Sequence, residues 1–307
     1  VTLLLADQRG QRIQRGTAAT ITFVNVDQDG TAATPPGAVT VGVTRGDGTV
    51  VVAAGTATTT TGNVSTLALA PAQTAVLDLL TATWTVATAG AYTTQHEVVG
   101  GYYISLADLR WQTNLGDDAK FPDSRLIDAR RWFEDLFEEF TGVAWVPRYR
   151  RATVTAPRYD SSMYPTWGAT GNVVLPDMYL RTIRSLSYTS FSGATVAFTS
   201  TEVADLTYND AGLVSRRSFA YWPPLNAMSM TLAYEYGHDS PPRDVWQASK
   251  MAIADRVTSD NSGNRQYSVS TAAGIVRTST PGPNTPFGIP FVDEVANRRR
   301  ERSHNAG

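Results

Sequence analysis

The sequence contains no cysteine, which rules out disulfide bonds and thiolate metal sites. It contains only three histidines, His96, His238 and His304, and none shares an HxH or HxxxH spacing with another. Metal binding and general-base chemistry both lean on imidazole, so neither is expected, and the bland reading is a solvated or structural ring at each position. No stretch of about 18 apolar residues occurs, so nothing is expected to span a membrane. The opening residues, VTLLLADQRGQR, lack the charged start, long apolar stretch and small-residue cleavage site of a signal peptide. The expected location is the cytoplasm, or a particle assembled there.

Charge is scarce at the start of the chain. Of 26 basic and 28 acidic residues, residues 1–100 hold four arginines and six acids, which leaves 22 of each for the remainder. That balance argues against a general nucleic-acid binder, which carries a basic excess on one face. It leaves room for a protein past which DNA slides without sticking. A chain of 307 residues, 42% of them hydrophobic, can bury real cores and has the length of about two domains.

Catalytic signatures are also missing. There is no GxSxG, phosphate loop or dinucleotide fingerprint. "DQDG" at residues 27–30 begins like a calcium loop, but its twelfth position is Ala38 rather than glutamate, so a turn is expected. "RGDG" at residues 45–48 lies between two valine-rich segments and reads as a hairpin turn before it reads as an adhesion tripeptide. Glu134, Asp135, Glu138 and Glu139 cluster, yet a glycosidase pair must face one cleft. These four are expected on the wet face of a helix, with Arg130–Glu134 and Arg131–Asp135 as surface pairs. No catalytic residue, cofactor or metal is assigned, and the protein is not expected to be an enzyme.

What is present changes character near residue 100. Before it, alternating segments recur: "ATITFVNV", "AVTVGVTR", "TVVVAAG", "NVSTLALA", "TATWTVAT" and "AYTTQHEVV", separated by Gly-, Pro- and Asp-rich turns. Short strands so punctuated predict an antiparallel β-sandwich of the immunoglobulin-like, disulfide-free kind over residues 1–100, with Trp84 as a core anchor. Residues 101–270 predict an α+β unit. A short helix is expected around residues 105–112, capped by Ser105. A stronger one spans 123–142, where Leu126, Ala129, Phe133, Leu136, Phe137 and Phe140 form one apolar stripe and Gly142 stops the helix. Strands follow, including a hairpin turn at "NDAG" (residues 209–212), and a third helix is expected over about 241–259. Residues 271–307 hold Pro281, Pro283, Pro286 and Pro290. They predict an extended arm ending in a short basic helix, with little of its own to bury.

The aromatic stretches "SSMYPTWG" (161–168) and "FAYWPP" (219–224) could stack sugars or bases, although core or subunit-contact duty is the commoner fate of such residues.

The run "YGHDSPPRDVWQASKMAIADRV" (236–257) has a strand ending in Tyr-Gly, then a diproline, then an alanine-rich helix. It resembles the signature of head-to-tail adaptor, or connector, proteins of long-tailed double-stranded DNA phages. Three further features match in order: the helix over 123–140, "GNVVLPDMYLRTIRSLSYT", and "TPFGIPFVDEVANRRRE", which resembles the closing arm of actinobacteriophage adaptors. The similarity covers roughly residues 102–304, and the sandwich is an addition to the minimal adaptor.

The resemblance implies a structural virion protein of the head–tail neck. Its copies would form a dodecameric ring beneath the portal protein, meet a stopper or tail terminator below, and pass genomic DNA without sequence-specific binding. It implies that the helices carrying Leu126, Phe133, Leu136, Phe137, Val245, Trp246 and Ile253 form the ring interface or core. It also implies that Pro286, Phe287, Ile289, Pro290, Phe291, Val295, Arg298, Arg299, Arg300 and Arg302 form a portal-docking arm. The competing expectation is a carbohydrate- or receptor-binding or decoration protein that uses the sandwich and "SSMYPTWG".

Overall fold

The computed structural model of the chain describes residues 5–6, 10–26, 31–87, 89–113, 115–155, 173–217, 227–258, 267–270, 276–279 and 281–300. The "DQDG" turn, both aromatic stretches, Arg302 and His304 lie outside the described residues. The fold is mostly β-sheet, with five helices among the described residues.

The first hundred residues supply β1 (Leu5–Ala6), β2 (Arg12–Gln14), β3 (Ala19–Val26), β4 (Val39–Thr44), β5 (Val50–Ala57), β6 (Thr59–Thr61), β7 (Val64–Leu69), β8 (Asp78–Val86) and β9 (Gly90–Val99). They form two sheets, ordered β1-β3-β7-β6 and β2-β9-β8-β4-β5. Strict alternation in β8 sends Leu80, Ala82, Trp84 and Val86 inward. There they meet Ile21, Phe23 and Leu69 of the other sheet in one core. Trp84 stacks on Phe23 at 5.4 Å and donates its ring N–H to Thr94 at 2.9 Å, so its polar end is satisfied inside an apolar layer. The pairing departs from an all-antiparallel sandwich in one place: β2 runs parallel to β9. Its chain continues into β3 of the opposite sheet, so β2 meets β9 as an added edge strand rather than as a hairpin partner. "RGDG" makes the expected turn between β4 and β5.

Beyond the seam come α1 (Leu106–Thr113), α2 (Asp123–Thr141), β10 (Arg148–Thr155), β11 (Val173–Val174), β12 (Leu180–Ser190), β13 (Thr195–Ala197), α3 (Ser200–Ala204), β14 (Leu206–Tyr208), β15 (Leu213–Arg216), β16 (Ala227–Tyr236), α4 (Arg243–Thr258), β17 (Tyr267–Ser270), β18 (Val276–Ser279) and α5 (Pro290–Arg299). Ser105 caps α1 by accepting the Asp108 N–H at 3.0 Å. Helix α2 ends at Gly142, whose left-handed φ of 74° lets its N–H reach the Glu138 carbonyl at 2.8 Å. The sheets β10-β16-β12-β13 and β11-β15-β14 enclose a second β core around Val173, Leu186, Val214, Met230 and Leu232. The "NDAG" turn joins β14 to β15, with Asn209 Oδ1 accepting the N–H groups of Ala211 and Leu213.

The last described segment corrects the sequence reading. Residues 281–300 are not an extended arm. Pro290 starts α5 at its first turn, where a missing N–H costs nothing. The apolar residues flanking it then find a partner within the same chain: α5 packs on α2 and α4. A count of prolines sees only the local backbone, and it misses that long-range partner.

Candidate assembly site

Two arrangements stand out: a helical core built from segments distant in sequence, and a charge cluster where the sandwich meets it.

The core gathers Tyr103 and Leu109 at one end of the sequence, Leu126, Phe133 and Phe137 of α2, Val245 and Ile253 of α4, and Phe287, Ile289, Val292 and Val295 at the other end. Phe287 is 1% exposed, and its ring lies 5.2 Å from Phe133 and 6.0 Å from Phe137. The Asp293 carboxylate accepts the Phe287 N–H at 2.9 Å, fixing the turn into α5. Trp246 and Leu136 are partly buried against the same core.

Of the residues assigned to a docking arm, Phe287, Ile289 and Val295 are therefore interior, and Pro290 opens α5. Phe291 is partly exposed on α5. The arginines are engaged within the chain. Arg299 grips Asp244 at the start of α4 at 2.9–3.0 Å, Arg298 pairs with Glu294, and Arg300 lies 4.9 Å over the Phe140 ring. Pro286 lies in the loop before α5, and Arg302 falls beyond the described residues.

The diproline motif has a clear geometric role. Strand β16 ends at Tyr236, and Gly237 follows at φ 93°, where a Cβ would sit 2.5 Å from the Val146 carbonyl oxygen. Only glycine fits that conformation and that gap. His238 is held between Trp145 (4.6 Å) and Tyr179 (4.1 Å), and Pro241-Pro242 lead into α4.

The charge cluster overturns the expectation of a solvated face for two of the four acids, Glu134 and Glu138. Asp135 and Glu139 are exposed as expected, and Arg131 pairs with Asp135 at 3.7 Å. Glu134 is 0% exposed and Glu138 is largely buried. Arg12 of β2 reaches Glu97 at 2.9 Å and Glu134 at 2.8 Å, and it also contacts Asp135. Arg148 of β10 reaches Glu138 at 2.6 Å, Glu134 at 3.5 Å and Glu97 at 3.6 Å. Tyr103 donates its backbone N–H to Glu134 and its hydroxyl to Glu138, each at 3.0 Å.

Helix periodicity places both glutamates opposite the α2 core stripe. It cannot say that the sandwich covers that side. The available signal was Arg12, one of only four arginines in the sandwich, facing a patch of four acids. Arg131 of α2, expected in a surface pair, also donates to the Gly10 carbonyl of the sandwich.

Burial acts to raise the Glu97 carboxyl, but Arg148 and Arg12 outweigh it and hold it below the usual range. At Glu138 burial wins over the same two guanidiniums and the value rises. Burial lowers the Arg148 guanidinium, yet Glu138, Glu97 and Glu134 together lift it well above normal. The carboxylates are thus paired with guanidiniums where the sandwich meets the helical core.

His96 is a core residue of the sandwich. Its Nδ1 accepts the Gln11 N–H at 3.3 Å, so Nε2 carries the proton toward Thr94 Oγ1 at 2.8 Å. Burial, assisted by Arg131, pushes its pKa down to about 4. Among the described residues no group of His, Asp and Glu is placed to hold a metal ion, and no helix is long and apolar enough to cross a membrane.

No protein-family model matches the sequence, and no curated protein matches it. Among solved structures, the chain is similar to one in the neck of an empty gene transfer agent (GTA) particle computed with C6 symmetry. The identity is 19% over 67% of this chain and 93% of that one, with a TM-score of 0.43. It is similar at 18% identity to a chain in the virion of a native gene transfer agent particle, over 67% and 93%, with a TM-score of 0.44. It is also similar at 18% identity to domains 4 and 5 of the S-layer protein SbsC, over 31% and 50%, with a TM-score of 0.20. Similarity at this level carries no argument about function.

Proposed function

We propose that the protein is a structural component of a phage-like virion, a head-to-tail adaptor of the long-tailed phage type. Its copies form a dodecameric ring beneath the portal, continue the DNA channel and join capsid to tail. The observation that carries this reading is that the adaptor-like stretches, scattered along the sequence, fold into one unit. Helix α2, the Tyr-Gly end of β16, the diproline entry to α4 and the closing segment around Phe287 all adjoin the same helical core. The immunoglobulin-like sandwich is a peripheral addition clamped onto that unit by Arg12 and Arg148.

The role is mechanical rather than enzymatic. The clustered carboxylates that could have served chemistry are neutralised by guanidiniums at the joint. A closed ring requires two different, complementary patches on each copy. Near-zero net charge suits a conduit that must release DNA. Below the ring, the partner is a stopper or tail terminator. Assembly takes place in the host cytoplasm, and the finished location is the virion neck. Mixing the protein with the portal of the same particle and imaging in negative stain tests the reading. A ring stacked coaxially under the portal is expected, and failure to bind portal contradicts it.

A further inference from the structure

The helical unit leaves two apolar surfaces at least partly open to solvent. The first is Trp111 on α1, 82% exposed, the most exposed large hydrophobic side chain among the described residues. Its platform is rigid. The neighbouring Arg110 donates to the carbonyls of Leu115 (2.9 Å) and Phe121 (3.1 Å), and it pairs with Asp118 and Asp123, each at 2.6 Å. The loop it braces is acidic at its tip, where Asp117 and Asp118 are both exposed. Four contacts from one guanidinium thus tie the end of α1 that carries Trp111 to the loop that carries Asp117 and Asp118, just before α2.

The second surface lies along the C-terminal half of α2. Trp132, Leu136 and Phe140 recur at four-residue steps and are only partly buried. Arg256 stacks over Trp132 at 4.2 Å and Arg300 over Phe140 at 4.9 Å. Half-exposed aromatics lidded by guanidiniums make a surface that is apolar and cationic together. Its centre lies roughly 20 Å along the helix from Asp123, at 1.5 Å per residue. The knob and this stripe are therefore separate patches of one subunit.

We infer that the two patches meet between copies: Trp111 of one subunit, with Asp117 and Asp118, docks on the Arg256- and Arg300-lidded stripe of the next. The charges are opposite in sign, exposed Asp117 and Asp118 on the loop after α1 against exposed Arg256 and Arg300 over the stripe. Tryptophan and arginine are the residues that most often dominate interface energetics. The contact is heterologous, so it propagates and closes a ring if the rotation between copies allows. Only the closure of that ring rests on the adaptor reading; the contact itself stands on these residues.

The test uses the full chain in sedimentation velocity and native mass spectrometry, with Trp111→Ser and Arg300→Glu as variants. Unchanged thermal unfolding of each variant confirms that the fold survives. Wild type is expected to form oligomers, and each variant to associate at least roughly 30-fold more weakly, the loss expected of a dominant interface residue. Mixing the two variants is diagnostic. The intact knob of Arg300→Glu meets the intact stripe of Trp111→Ser, giving one-to-one dimers and nothing larger. Variants that assemble like wild type, a mixture that stays monomeric, or a wild type that remains monomeric at its highest soluble concentration would each overturn the inference. If the variants assemble normally while wild type still rings the portal, only this interface is wrong. If they behave as expected but wild type ignores portal, the interface stands and the adaptor reading fails.

Discussion

The sandwich and the helical unit both bury aromatic cores, and they close them over very different lengths of chain. In the sandwich, the core runs from Ile13 to Val98, and alternation within each strand announces which side faces in. In the helical unit, the core joins Tyr103 to Ala296, with a complete second β unit inserted between Val146 and Val245. The first can assemble as a contiguous stretch. The second is completed only when the last segment of the chain folds back onto the first helices, so its stability depends on residues that look dispensable in sequence.

The sharpest way to break this comparison is truncation. Removing residues 281–307 takes Phe287, Ile289, Val292 and Val295 out of the helical core. Each fully buried side chain contributes about 1.5–3 kcal/mol, so the loss approaches the whole stability of a domain. Calorimetry is expected to show the sandwich transition retained and the helical transition lost. A truncated chain with both transitions intact would restore the picture of a free arm. Phe133→Ala probes the same core at one point and should cost about 3–5 kcal/mol in denaturant unfolding. A loss below about 1 kcal/mol would mean that α2 does not pack as described.

The joint between the two regions comes next. Arg148→Met takes the ion-pair partner from the largely buried Glu138, while Glu134 keeps Arg12, and should cost about 3 kcal/mol or more. Adding Glu138→Gln should recover part of that. The readout is the fall in the midpoint of the helical transition; no loss in the single variant would show that the cluster is wet and loosely coupled.

A smaller effect separates the sandwich by pH. His96 has a folded pKa of about 4 against an ordinary 6.5, so the folded state prefers the neutral ring. Its contribution is full above pH 6.5 and is lost as pH falls through 4, by about 3 kcal/mol in the acid limit. His96→Gln should flatten the acid side of the sandwich stability curve. An unchanged curve would mean that another group drives acid unfolding.

Much of the fold was legible locally. Trp84 announced itself by sitting mid-alternation, and Gly142 by following an apolar stripe. Gly237 was marked by its place between a strand and a diproline. What escaped were the facts set by partners far away in sequence. Glu134 and Glu138 look solvated because nothing near them in sequence covers them, and Arg12 lies more than 120 residues upstream. The proline-rich segment looks extended because φ restriction is visible locally and a waiting pocket of Phe133 and Phe137 is not. The same limit hid the joint itself, since a salt bridge between distant segments has no sequence period.

The most direct measurement is a cryo-EM map of the phage-like particle to which the proposed function assigns this chain. The account predicts a closed ring at the collar between capsid portal and tail, with the sandwiches at its rim and the α5 segment folded inside each subunit. Density for the chain on the capsid shell, at the tail tip, or absent from the particle would contradict it.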